Sequence, residues 1–153
     1  MKLPVTDLSV SAAFYQALLE LTPQFEFAEL GQLRGVQLIN RSNRVTIALR
    51  LRDYCASRPV LDGFDVVSFA VDSRDELVGM ANRCDAHGLS RTEIVDTPPF
   101  VSIFDVHDPD GTVLRFAFDH PEAPSGWVGV DIAADGPRLY QTPQLDRGWL
   151  TSS

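Results

Sequence analysis

Apolar residues recur along this chain with two different periods, and the switches between them set the order of its elements. Leu3-Pro4-Val5 is a short apolar run that predicts a strand. Behind Asp7 or Ser9 as a cap, Val10, Phe14, Leu18 and Leu21 return at helical spacing. Thr22-Pro23 predicts the end of that helix. Strand-like runs follow at 25–30, 35–40 and 44–52, with Gly31 dividing the first two and Asn40-Arg41-Ser42-Asn43 turning into the third.

The pattern then starts again. Residues 53–63, with Pro59 and Gly63, read as a linker, and 64–71 as a strand. Ser73-Arg74-Asp75-Glu76 is a capping box, in which the hydroxyl and the carboxylate each satisfy a backbone N–H left free at a helix start. Leu77, Met80, Ala81 and Cys84 form the buried stripe, and Gly88 is placed to end the helix. Strands are predicted at 92–96, 100–107 and 112–119, the last two joined by the turn Asp108-Pro109-Asp110-Gly111. The two halves repeat at an offset of 66 residues, which still holds where Thr22 matches Gly88. The expected fold is α+β: a βαβββ module at 1–52, a linker at 53–63 and a second module at 64–119.

Residues 120–153 break the repeat. They hold Pro121, Pro124, Pro137, Pro143 and both tryptophans, Trp127 and Trp149. The expectation is an irregular arm packed on its own domain or on a partner subunit, because two exposed indoles are costly.

Composition narrows the partners. Thirteen basic against 21 acidic residues give a formal charge of −8, which repels phosphate backbones and argues against nucleic acid. No apolar run reaches the roughly 20 residues that span a bilayer, so no membrane role is expected. Met1-Lys2-Leu3-Pro4 lacks the apolar core of a signal peptide, and Cys55 and Cys84 read as reduced thiols. The expected location is the cytoplasm. There is no P-loop, dinucleotide fingerprint or nucleophile elbow, and no cofactor is implied.

Three fragments in order carry a resemblance: Leu3-Pro4-Val5-Thr6-Asp7-Leu8 with Phe14-Tyr15, then residues 64–71, then Asp108-Pro109-Asp110-Gly111 running into Thr112-Val113-Leu114-Arg115-Phe116. Together they resemble the vicinal oxygen chelate superfamily of glyoxalase I, bleomycin-resistance proteins and extradiol dioxygenases. The resemblance covers about residues 1–119. It implies an eight-stranded cup with helices outside, a small-molecule cavity and, by analogy, a homodimer. Metal enzymes of that family use His near each opening strand and Glu on each closing strand. Here the first ligand would precede Met1, the second falls on Val66 and the last on Arg115, while 44–52 holds no Asp, Glu or His. A metal at that position, and Lewis-acid chemistry with it, is not expected.

Alternation then selects the residues that face the cup. Leu114, Phe116 and Phe118 read as core, leaving Val113, Arg115 and Ala117 inward; Val67, Phe69 and Val71 read as core, leaving Val66, Ser68 and Ala70 inward. In the first module Thr46, Ala48, Arg50 and Arg52 face inward, although anchoring on the turns instead places Ile47 opposite Arg115. Phe25, Phe27, Phe100 and Phe104 lie on strands able to supply aromatic faces. The candidate ligand-binding set is Arg115, Arg50, Ser68, Val66, Phe100 and Phe104. Arg115 has two readings: an anchor for an anionic small molecule, or a plug paired with Asp65 or Asp105. His87 reads as a helix-end cation, His107 and Tyr15 are weighed as proton carriers, and His107 with Asp105 as an alternative metal site, while His120 follows the last strand. The expected function is metal-free binding of a small anionic or neutral aromatic organic molecule. The alternatives are a metal-independent lyase or isomerase using Arg115 on an oxyanion, and a structural module with a plugged cup.

Overall fold

A computed structural model describes residues 1–144; Trp149 lies outside the described residues. The first module runs β1 (Lys2–Val5), α1 (Leu8–Leu19), β2 (Thr22–Glu29), β3 (Gln32–Asn40) and β4 (Val45–Leu51). The second runs β5 (Asp65–Ala70), α2 (Arg74–Ala86), β6 (Val95–Thr97), β7 (Val101–His107) and β8 (Val113–Asp119). The strands form two separate four-stranded sheets, ordered β1-β4-β3-β2 and β5-β8-β7-β6, with no closed barrel. In each sheet the opening strand pairs parallel to the closing one and the other pairings are antiparallel.

Local chemistry explains the helix ends. Asp7 caps α1 by accepting from the N–H groups of Ser9 and Val10. On α2 the Ser73 hydroxyl accepts from the Glu76 N–H, while Glu76 accepts from the Asp72 N–H rather than from that of Ser73. Gly88, at φ 65°, donates to the Asp85 carbonyl and Leu89 to that of Cys84, the paired bonds of a Schellman cap. α1 ends at Leu19 with Glu20 in the left-handed region, so Leu21 is buried beyond the helix and Pro23 lies in β2. That strand is a sheet edge with a register shift beside Pro23, where a missing N–H costs least.

α1 packs on β3 and β4, α2 on β7 and β8, and the helices touch each other. One apolar cluster joins them, from Leu3, Phe14 and Ile47 through Leu77, Phe104 and Phe116. The buried face of α1 is Leu8, Ser11, Phe14, Tyr15 and Leu18. Val10 is 52% exposed because the Asp7 cap sets the helix phase one position away from the predicted stripe.

Two predicted elements shift. The strand expected at 92–96 is shorter and later, Val95–Thr97. The arm is not irregular throughout: β9 (Gly129–Ala133) and β10 (Gly136–Tyr140) form an antiparallel hairpin. Gly129 leaves room there for the Tyr140 ring, whose far end would stand 2.1 Å from a Cβ and would have to move for a larger residue. Among the described residues no helix is long and apolar enough to cross a membrane.

Candidate functional site

Each sheet turns one face to its helix and leaves the other open. In β7 Ser102, Phe104 and Val106 are buried toward α2, which puts Val101, Ile103 and Asp105 on the open face. The pairing register carries that face across the sheet. Val101 is opposite Thr97 and Asp119, Ile103 opposite Ala117, Asp105 opposite Arg115, and Arg115 opposite Ser68.

The guanidinium of Arg115 is held on two sides. Its Nε and Nη2 donate to the two carboxylate oxygens of Asp105 at 2.9 and 3.0 Å, and Nη1 lies 2.9 Å from Asp65 Oδ2. The Asp105 hydrogen bonds outweigh burial and push the Arg115 pKa above its ordinary value. Of the two readings of this residue, the geometry is that of the pair with internal carboxylates. Ser68 is exposed beside it. Val66 leaves the open face: a bulge between Asp65 and Val67 breaks the alternation, and Val66 packs against the core. Phe104 is 1% exposed and stacks on Phe116 with ring centroids 5.2 Å apart, so it faces the helix and not the cup.

On the first sheet, Arg50 does reach the open face. It donates to Glu29 at 2.9 Å and to the Tyr54 carbonyl at 3.0 Å, with its guanidinium 5.0 Å from the Phe27 ring centroid. A hollow of about 190 Å³ lies there, where Gly35 and Ala48 leave room between Phe25, Phe27 and Arg50. Gly35 cannot be larger, since a Cβ would stand 2.7 Å from the Leu49 carbonyl. Arg52 has left the strand for a 3₁₀ turn, Arg52–Tyr54, and pairs with Asp110 at 2.8 Å.

Arg115 and Val66, which the resemblance aligns with two of the family's metal ligands, do not themselves suit a divalent ion. A guanidinium held between two carboxylates already supplies their counter-charge, and the isopropyl group of Val66 is not a donor. Among the described residues no three His, Cys, Asp or Glu side chains are grouped to hold a metal. Tyr15 is sealed in the core on Asp108 and does not reach the open face.

Four residues from four separate segments meet at the edge of α2. Arg74 donates to both carboxylate oxygens of Asp96 at 2.9 Å. The fully buried Ser102 hydroxyl donates to Asp96 at 2.5 Å and lies 2.9 Å from His120 Nε2. With its hydrogen on Asp96, Ser102 Oγ accepts from the imidazole, so His120 does not act as a base on it. The arrangement tethers the root of the arm, where the His120 N–H also donates to the Phe100 carbonyl at 2.8 Å. These bonds hold the Asp96 pKa down at about 2, Arg74 contributing most.

The tether leads to a second, larger hollow than the one beside Arg50. A cavity of about 620 Å³ lies where the C-terminal hairpin covers the end of the second sheet's open face. Phe100, Val101, Trp127, Ile132, Pro137 and Leu139 line it, and Thr97, Asp119 and Ala123 also contribute to its wall. Phe100 meets Trp127 edge-on at 6.5 Å between centroids. By strand spacing of roughly 3.3 Å per residue, Val101 is about 13 Å from Asp105 on the same face. Of the sequence-selected residues only Phe100 contributes here. The roof was missed because the prolines and glycines of the arm masked a short alternation, Val130 and Ile132, within β9.

Comparison with known proteins places this geometry. The model of the Glyoxalase/Bleomycin resistance protein/Dioxygenase superfamily matches residues 1–116. No curated protein matches the sequence. A glyoxylase/bleomycin resistance protein/dioxygenase domain from Frankia sp. EAN1pec superposes with a TM-score of 0.63 at 21% identity, covering 78% of this chain and 94% of that one. TnmS3, an antibiotic binding protein from Streptomyces sp. CB03234, gives 0.60 at 17% identity, covering 78% and 92%. The fosfomycin resistance protein FosX from Listeria monocytogenes gives 0.61 at 15%, covering 80% and 92%. At these identities the neighbours share the fold, while the family match spans most of the chain. With its two βαβββ modules and paired open sheets, this chain belongs to the Glyoxalase/Bleomycin resistance protein/Dioxygenase superfamily.

Proposed function

We propose that this protein binds a small organic molecule with an aromatic or aliphatic body on the open face of its second sheet, beneath the C-terminal hairpin, without a metal. The observation that carries the reading is the cavity of about 620 Å³ walled by Phe100, Trp127 and aliphatic side chains. Its size and mostly apolar lining are those of sites that enclose drug-sized ligands. The antibiotic-binding neighbour supports a binding role on this fold. Arg115 is not the anchor in this reading, because Asp65 and Asp105 take up its charge. A homodimer belongs to the same proposal, supported by Phe25, Phe27 and Phe64, which stand exposed; sedimentation at a monomer mass rejects that part.

Titration with the neutral fluorophore N-phenyl-1-naphthylamine tests the site. Saturable one-to-one binding is expected, weakened at least tenfold in Ala123→Trp, whose indole fills the cavity. Failure to saturate, or equal binding by the filled variant, rejects the cavity as the site.

A further inference from the structure

Resting on that reading of the cavity, we infer that its ligand is a hydrophobic organic cation, an aromatic or bulky aliphatic amine. Its charge sits on Asp119 and its body between the hairpin and the sheet. The cavity wall has one ionised side chain, the carboxylate of Asp119, and no lysine, arginine or histidine. Among the described residues that carboxylate forms no ion pair and its oxygens accept no hydrogen bond, unlike Asp65, Asp96, Asp105 and Asp110. The nearest cation on the same strand face is Arg115, four residues away, with its donors on the other two aspartates.

Phe100 and Trp127 add to the preference. Both rings line the cavity and pack edge-on to each other, and an ammonium gains from the negative face of an aromatic ring. A carboxylate or sulfonate ligand would meet Asp119 with no cation beside it to offset the repulsion. The formal charge of −8 draws cations toward the surface at a distance. The roof is this chain's own: Trp127, Ile132, Pro137 and Leu139 all lie beyond the residues that match the family model. The cation preference therefore belongs to the arm and the end of β8, and not to the centre of the cup.

Three fluorophores separate this inference from the one it rests on: cationic proflavine, neutral N-phenyl-1-naphthylamine and anionic 1-anilinonaphthalene-8-sulfonate. Proflavine is expected to bind more tightly than the sulfonate. Asp119→Asn should weaken proflavine about tenfold and leave the neutral probe within twofold, and Asp119→Glu should restore proflavine. Retained neutral binding with proflavine unmoved by Asp119→Asn, or with the sulfonate binding at least as tightly, overturns the cation assignment alone. If the neutral probe does not bind the wild-type protein, the cavity reading fails and the inference falls with it.

Discussion

The phenol of Tyr15 on α1 donates a 2.8 Å hydrogen bond to Asp108, 93 positions later, in the turn between β7 and β8. Both side chains are buried. The second oxygen of Asp108 accepts from the backbone N–H groups of Asp110 and Thr112 at 2.9 and 2.8 Å. Asp110 in turn accepts from the Thr6 N–H at 3.0 Å and from Arg52 at 2.8 Å. The closing turn of the second module is thus fastened by the helix, the first loop and the 3₁₀ turn of the first.

Tyr15→Phe removes one hydrogen bond and leaves a buried carboxylate oxygen short of a donor. A loss of about 1–3 kcal/mol in urea denaturation is expected. A variant with the wild-type midpoint and slope would show that the bond contributes nothing to holding the modules together.

The same pair carries an alkaline limit. Burial, and after it the Asp108 charge, pushes the Tyr15 phenol well above its ordinary value of 10.0. The folded protein therefore keeps a proton that the unfolded chain loses above about pH 10. This contribution is full below that pH and declines as pH rises. Stability measured from pH 9 to 11 should fall more steeply for wild type than for Tyr15→Phe; parallel curves would contradict the assignment.

Asp96 carries the opposite sign. Arg74 and then Ser102 lower its pKa from 3.8 to about 2, so its contribution is present above about pH 4 and is lost as pH falls toward 2. In Asp96→Asn the acid-side decline between pH 4 and 2 should flatten. Because His120 hangs on the same serine, proteolysis within the arm should also quicken at neutral pH. An unaltered acid limb, with unaltered cleavage of the arm, would show that the tether is idle.

Arg115→Gln separates plug from anchor. It leaves Asp65 and Asp105 without the cation they share, so the variant should unfold at a lower urea concentration than wild type at pH 7. Affinity for N-phenyl-1-naphthylamine should stay within about twofold. A tenfold loss of that affinity would return Arg115 to the binding site.

What could be read from the chain was whatever neighbours in sequence decide. The Ser73 cap, the Gly88 cap, the Asp108–Gly111 turn and the duplicated order of strands and helices depend on residues only a few positions apart. Their chemistry is therefore written locally. Even the carboxylate partners of Arg115 could be named, because Asp65 and Asp105 lie on the two strands that flank β8. Tertiary structure decided the rest. A bulge at one residue turned Val66 toward the core, and packing against α2 put Phe104 on the buried face. The Tyr15–Asp108 bond, the tether from Arg74 to His120 and the roofed cavity each join segments far apart in the chain. No local pattern encodes such meetings, because they follow from sheet register and from where the hairpin comes to rest, and both are set by long-range packing.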